Sequence, residues 1–226
     1  MKSALNAAFA IAGKDLRTEL RTKESINASA SFALVILVLF SFAFDLGREE
    51  LYAISGGMLW LVYSFAGALI VNRSFARELP NDCLDVLLAS PAPGWAIFLG
   101  KAIAAFLLLI IVELISLPIF GLFYNIRWTE HLGTLILTMI LATWGITVVG
   151  AAFSAVTVNV RLRELMLPVL LYPILIPLLI GAMGTTTALF TGDTSLDISA
   201  PLKLLIGFDI IYTALALYLV DFVLIV

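Results

Sequence analysis

Six long apolar runs divide this sequence, and they limit what the chain can fold into. The runs cover residues 28–44, 51–71, 95–123, 132–158, 165–184 and 202–226. A helix needs about 20 mostly apolar residues to cross the hydrocarbon core of a bilayer, and only the first run is clearly shorter. Because the apolar residues are continuous and do not alternate, the runs predict helices and not barrel strands. We therefore expect an all-α membrane protein with six transmembrane helices, forming a single transmembrane domain over residues 1–226.

The composition agrees with a lipid-facing surface and excludes several classes of function. Hydrophobic residues make up 62% of the chain and charged residues 13%, whereas soluble domains carry about 25% charged residues. The net charge of −3 provides no basic surface for nucleic acid. One cysteine, Cys83, excludes a disulfide within the chain and a multi-cysteine metal site. The single histidine, His131, has no partner at ligand spacing, so we predict no metal site and favour an interfacial polar residue over an axial haem ligand.

Lysine and arginine residues predict the orientation in the membrane. If the N-terminus lies in the cytoplasm, most of the thirteen basic residues lie on the cytoplasmic side, as the positive-inside rule requires. Those on that side are Lys2, Lys14, Arg17, Arg21, Lys23, Arg73, Arg77, Lys101, Arg161 and Arg163, and those on the other side are Arg48, Arg127 and Lys203. Trp95, Tyr124 and Trp128 fall near predicted interfaces, where aromatic anchors are common. We expect a multi-pass protein of the bacterial inner membrane with both termini in the cytoplasm.

The segment before the first run, residues 4–24, predicts an amphipathic helix. Its apolar stripe consists of Leu5, Phe9, Ala12, Leu16 and Leu20, and its charged residues include Asp15, Arg17, Glu19 and Arg21. Such a helix lies on a membrane surface with the stripe facing lipid. The alternative is a soluble helix packed on a partner; we favour the membrane because the first span follows directly.

The loop between the second and third runs, residues 72–94, predicts a short cytoplasmic helix at about residues 80–89. Pro80 suits the first turn of a helix, and Asp82 and Asp85 near that start favour the helix dipole. Pro91 and Pro93 end it. Permeases driven by a separate ATPase need a helix of this kind, which docks on the ATPase and transmits its motion to the membrane helices.

The fifth run contains Pro168, Pro173 and Pro177, each of which removes a backbone hydrogen bond and bends a helix. Gly181 and Gly184 follow. We therefore expect this span to be kinked and broken, with residues 185–201 forming a periplasmic loop or a re-entrant segment.

No catalytic set is recognisable in the sequence, and we predict that the chain is not an enzyme. The nearest match to a phosphate-binding loop contains Gly100 and Lys101, but its spacing is one residue too long and Ala102 replaces the magnesium-binding hydroxyl. Two carboxylates lie inside predicted spans, Glu113 in the third and Asp209 in the sixth. A charge at that depth is costly, so both side chains are expected to face the protein interior. A role in a gate or path and a protonated, hydrogen-bonded acid remain the two interpretations.

Four stretches carry a resemblance to a known family. They are residues 14–21 (KDLRTELR), residues 75–78 with the turn 81–82 and the run 84–88, Lys101 with Glu113 and Pro118, and residues 167–181 with their prolines. In this order and spacing they resemble the cytochrome c maturation protein B family, also called haem exporter protein B, over nearly the whole chain. The sequence departs from the family pattern at Leu79-Pro80.

The resemblance implies a permease-like membrane subunit of an ABC-type complex in cytochrome c maturation. The partners would be a dimer of a cytoplasmic ATPase subunit, a membrane subunit that handles haem, a small subunit that crosses the membrane once and, indirectly, a periplasmic haem chaperone. ATP and haem would then be bound by partner subunits, and no cofactor directly by this chain. The segment that couples to the ATPase would include Arg77, Glu78, Asp82, Leu84, Asp85 and Leu87.

Several functions remain open at this point. We expect this subunit to transmit ATP-driven motion that releases the haem-loaded chaperone, and haem export itself is the first alternative. A general ABC exporter permease for another substrate has the same composition. From other classes, a passive scaffold and a proton-driven carrier using Glu113 and Asp209 are weaker alternatives.

Overall fold

The computed structural model describes residues 2–43, 48–79, 83–126, 128–158, 160, 162–192 and 198–224. These residues form α-helices joined by short turns, and no strand occurs among them. The helices are α1 (Lys2–Thr22), α2 (Glu24–Ala43), α3 (Arg48–Ala76), α4 (Cys83–Leu88), α5 (Gly94–Tyr124), α6 (Leu132–Thr157), α7 (Arg163–Thr191) and α8 (Ser199–Leu224).

Six of these helices are long and apolar enough to cross a membrane, which confirms the predicted fold class. The candidate spans are Glu24–Ala43, Glu50–Ala76, Gly94–Tyr124, Leu132–Thr157, Glu164–Thr191 and Ser199–Val223. Each contains most of the corresponding apolar run, and several extend beyond it because polar residues continue the helix at its ends. The chain is a multi-pass membrane protein. Two residues used to predict its orientation, Arg127 and Arg161, lie outside the described residues.

Helix α3 lies at the centre of the bundle and packs against α2, α5, α6 and α7. Trp60 and Tyr63 on α3 are fully buried in the main apolar core. Helices α3 and α6 approach closely where glycines replace larger side chains: a Cβ atom on Gly150 would lie 2.7 Å from Val71 Cγ2, and one on Gly67 would lie 2.7 Å from Ile146 Cγ2. The close packing of these two helices therefore requires both glycines.

Helix α7 is continuous from Arg163 to Thr191, so the prediction of a broken fifth span is wrong. Pro168, Pro173 and Pro177 all lie within this helix. The polar residues after them face the bundle: Thr185 Oγ1 donates to the Gly181 carbonyl at 2.9 Å, and Thr186 Oγ1 accepts from Trp60 Nε1 at 2.8 Å. Because these hydroxyls find partners inside the protein, the helix continues through a segment that resembles a loop in composition.

The helix ends only at Gly192, whose φ of 66° suits a left-handed cap. The first part of the expected loop, up to Thr191, is therefore helical, and residues 193–197 lie outside the described residues.

The predicted aromatic anchors differ in their surroundings. Trp95 and Trp128 are half-buried, but Tyr124 is buried and its hydroxyl donates to the Leu37 carbonyl at 2.8 Å. This phenol therefore joins α5 to α2.

Substitution of Gly150 by Ala is expected to destabilise the protein by about 1–3 kcal/mol, the usual range for overpacking a tight core. The new methyl group would meet three atoms of Val71, whose β-branched side chain cannot rotate away freely. The thermal unfolding temperature in detergent would measure this. Gly207→Ala is the matched control, since a Cβ there meets nothing within 4 Å. Equal unfolding temperatures for the two variants would contradict the close α3–α6 packing.

Candidate functional site

Six charged residues from two helices and one turn meet at one end of the bundle. We call them the ionic cluster: Lys14, Asp15, Glu19, Arg77, Glu78 and Lys101. They come from α1, from the turn after α3 and from the first turns of α5. Because α4 is the next helix along the chain after that turn, we refer to this part of the molecule as the α4 end.

Lys101 is the central residue of the ionic cluster. Its side chain is only 1% exposed, although it carries a primary amine. Its Nζ atom lies 2.6 Å from Glu78 Oε1 and 2.9 Å from Asp15 Oδ2, and it donates to the Ser74 carbonyl at 3.0 Å. The Phe75 ring lies 5.8 Å away, within cation–π range. A buried ammonium with three oxygen partners joins α5 to α1 and to the end of α3.

Glu78 also pairs with a second ammonium group, which belongs to Lys14 of α1. Lys14 Nζ lies 2.5 Å from Glu78 Oε1 and 3.3 Å from Asp15 Oδ1. Burial acts to raise the pKa of Glu78, but the hydrogen bonds and charges of Lys101 and Lys14 outweigh burial, so its pKa lies below its usual value. Burial acts to lower the pKa of Lys14, but the hydrogen bonds and charges of Glu78 and Asp15 together outweigh burial, so this pKa is raised. Both groups are therefore held in their charged forms.

Glu19 is fully buried and connects α1 to the start of α2. Its Oε1 atom accepts from the backbone N–H groups of Ser25 at 2.6 Å and Ile26 at 3.0 Å, and its Oε2 atom pairs with Arg77. Arg77 also donates to Ser25 Oγ at 2.6 Å. Burial acts to raise the pKa of Glu19, but the Ile26 N–H and the Arg77 guanidinium outweigh it and the pKa is lowered. Glu19 thus satisfies free N–H groups at the N-terminus of α2.

Helix α1 has two apolar faces. Ala8, Ile11 and Ala12 are buried, and a Cβ on Gly100 of α5 would lie 2.7 Å from the Ala8 carbonyl oxygen. Leu5, Phe9 and Leu20 of the predicted stripe remain exposed, at 39%, 63% and 53%. Two other residues of the stripe contact the bundle, since Ala12 is buried and Leu16 packs against the core; contact of the exposed stripe residues with lipid or with a partner stays a prediction.

The residues predicted to couple to an ATPase are divided by the structure. Arg77 and Glu78 face inward in the ionic cluster, as do Asp15 and Glu19 of the predicted surface helix, whereas Arg17 and Arg21 are exposed.

On α4 itself, Asp85 is exposed and Leu87 is half-buried against the core beside Phe75. Asp82, the predicted start Pro80 and the side chain of Leu84 lie outside the described residues. Among the described residues, α4 covers Cys83–Leu88, so the predicted last residue, Ala89, lies just beyond it.

The two intramembrane carboxylates lie on opposite sides of one turn of α6. Glu113 is fully buried, and its Oε1 atom accepts from Thr143 Oγ1 at 2.6 Å. Asp209 lies against Gly145, where an added Cβ would be 2.8 Å from Asp209 Oδ1. Among the described residues, Glu113 Oε2 and both Asp209 carboxyl oxygens have no hydrogen-bond partner. Both acids face the interior as expected, and a functional role for either stays a prediction.

The sequence pattern missed the most central member of the site. In the sequence, Lys101 stands out only as a basic residue of the predicted cytoplasmic side, in a failed phosphate-binding loop and in a family motif, and nothing local indicates its partners 23 and 86 positions earlier. A lysine placed well inside an apolar run is the one signal available, because such a charge needs a partner.

The pH dependence of stability is expected to reflect Glu78. Because its folded pKa is lowered from 4.5, its contribution is complete above that pH and disappears as the pH falls through the folded value. Glu78→Gln should lower the free energy of unfolding by about 1.5–3 kcal/mol at neutral pH, and the gap should close under acid conditions. Chemical unfolding in detergent from pH 7 to pH 3 tests this, with exposed Glu50→Gln as control. A gap independent of pH would refute the charged pairing.

Comparison of the sequence with known proteins places the chain in a family. The chain is 29% identical over 198 residues to "Heme exporter protein B" of Rhodobacter capsulatus, covering 88% of this chain and 89% of that protein. It is 26% identical over 207 residues to the protein of the same name from Bradyrhizobium diazoefficiens, covering 92% of each.

A shorter match has a different name. The chain is 30% identical over 93 residues to "Probable multidrug ABC transporter permease YbhR" of Escherichia coli K12. This match covers 41% of this chain and 25% of that protein. The family model described as "CcmB protein" matches residues 6–224, and the chain therefore belongs to the CcmB protein family.

Proposed function

We propose that this chain is the membrane subunit of an ABC-type complex in cytochrome c maturation. A separate subunit hydrolyses ATP, and this chain converts the resulting motion into movement of its membrane helices. The family membership and the relatives named as haem exporter and ABC permease support this assignment. The ionic cluster supplies a physical route for the motion.

The observation that carries the proposal is the burial of Lys101 between Glu78 and Asp15. Glu78 lies in the turn that precedes α4 along the chain, so in this proposal a force on α4 is transmitted to an ion pair anchored in α5. The same turn is anchored to α1 through Arg77 and Glu19. A small displacement of α4 is therefore transmitted to two helices together, because breaking either buried pair would leave an uncompensated charge.

Helix α4 has the surface that such docking needs. Asp85 and Val86 are exposed, Val86 at 71%, while Leu87 is packed against the bundle. One side of the helix is thus free to contact an ATPase, and another is fixed to the membrane domain. In this proposal the α4 end faces the cytoplasm, both termini lie there, and the ATPase subunits act as a dimer.

Haem, in this proposal, is bound by a partner subunit in the membrane, and the driven step is release of the haem-loaded periplasmic chaperone. A small single-span subunit completes the membrane part. The scarcity of axial ligands supports this division of labour, because the chain has one histidine, His131, which lies on the α5–α6 connection at the opposite end from the ionic cluster.

Docking on α4 predicts that Asp85→Lys combined with Val86→Asp abolishes co-purification of the ATPase subunit. The first change reverses a charge and the second places a carboxylate at an exposed apolar contact, both at a surface position that leaves the bundle intact. Affinity purification of the complex measures this. Glu50→Lys, an exposed reversal at the opposite end of α3, is the control. Retention of the ATPase by the α4 variant would rule out this docking surface.

Transmission through the cluster predicts a different result for Lys101→Met. The ATPase should still co-purify, since α4 is unchanged, but nucleotide hydrolysis should no longer drive release of the haem-loaded chaperone. The reconstituted complex allows both to be followed, as phosphate production and as the haem absorbance of the released chaperone. Lys101→Arg keeps the charge and should restore at least part of the release. If Lys101→Met releases the chaperone at the normal rate, the ionic cluster is not the route.

A further inference from the structure

A narrow slot opens between α2, α3 and α7, separate from the ionic cluster. It has a volume of about 120 Å³, and its walls include Phe32 from α2, Phe65 from α3 and Tyr172 from α7. At its mouth lie Asn72, close to the end of α3, and Glu164, in the first turn of α7. Residues from three spanning helices thus form one cavity with an apolar interior and a polar entrance.

The inner part of the slot is aromatic. The Phe32 and Phe65 ring centroids are 5.9 Å apart and those of Phe65 and Tyr172 are 5.0 Å apart, both pairs tilted. Phe65 is nevertheless 41% exposed, so the rings form an open wall and not a closed core. A flexible apolar chain fits such a wall, because tilted rings leave a groove between them that dispersion contacts can fill.

The entrance is polar and lies at the end of the spans. Asn72 is about two helical turns along α3 from Phe65, and Glu164 is about two turns along α7 from Tyr172, so the mouth lies roughly 10 Å from the rings. Glu164 is exposed and starts a candidate span, which places its carboxylate at the depth of lipid head groups. Among the side chains that the structure describes, Glu164 forms no ion pair, while neighbouring Arg73 is already paired with Glu24 at 2.5 Å.

We infer that this slot binds one bilayer lipid with a primary-amine head group. The ammonium group donates to the Glu164 carboxylate, the Asn72 amide donates to the phosphodiester, and the upper part of one acyl chain lies along Phe32, Phe65 and Tyr172. A quaternary choline head group cannot donate a hydrogen bond to Glu164, and a glycerol head group leaves the lipid phosphate without a cation beside that carboxylate. The inference concerns a lipid site and does not depend on the proposed coupling function.

Competitive lipid retention tests the inference. The purified protein is reconstituted in nanodiscs with equal parts of phosphatidylethanolamine, phosphatidylcholine and phosphatidylglycerol, extracted in mild detergent, and the retained lipids are identified by native mass spectrometry. The wild-type protein should retain phosphatidylethanolamine in preference to the other two. Glu164→Gln should reduce that preference by about fivefold, as expected for loss of one charge-assisted contact at a partly exposed site.

A second variant separates the head-group contact from the chain contact. Phe65→Ala removes an exposed ring and should lower retention of all three lipids without changing the preference for phosphatidylethanolamine. Glu50→Gln and Phe222→Ala remove an exposed carboxylate and an exposed ring elsewhere and should behave as wild type. Retention in proportion to supply, or unchanged selectivity in Glu164→Gln, overturns the inference. A dimer that retains no lipid overturns it as well, since a second copy would then cover the slot.

Discussion

The ammonium group of Lys101 lies within the first turns of a membrane-spanning helix with almost no exposure. The carboxylates of the α4 end are placed so that they compensate its charge. An unpaired charge buried at that position would cost several kcal/mol, so oxygen atoms must reach Lys101 from outside α5. Glu78 does so only because the chain turns back after α3, and Asp15 only because α1 lies against α5. Two ion pairs of Lys101 therefore join α1 and the turn that precedes α4 along the chain to α5.

At the same end of the molecule, neighbouring charged residues of one helix have different roles, so each must be interpreted by itself. Glu19 and Arg17 belong to one charged stretch of α1, yet Glu19 is buried and caps the next helix while Arg17 is exposed. Lys23, with a φ of 56°, separates α1 from α2 and allows the Glu19 side chain to reach the N–H groups at the N-terminus of α2. The joint between the two helices is therefore held by a side chain and not by continuous helix.

The apolar runs predict the six spans because lipid imposes a length and a composition that can be counted along the chain. The site is predictable only in part. Arg77 and Glu78 stand out as charges after a span, but their partners lie on other helices, and pairing depends on packing that no local pattern contains. The wrong prediction of a break in α7 has the same origin. Thr185 and Thr186 have the composition of loop residues, but inside the bundle they form hydrogen bonds with the helix backbone and with Trp60.

The order of the cluster along the chain has a consequence for synthesis. Every oxygen partner of Lys101, from Asp15, Ser74 and Glu78, precedes it in sequence. During N-to-C translation the acceptors are therefore already made when the lysine leaves the ribosome, and its charge need not enter the bilayer unaccompanied. Helix α1 packs chiefly on α5 and little on its neighbour α2, so most of the surface it packs against is made only with the third span. Arrival of the third span thus completes the assembly of the first helix.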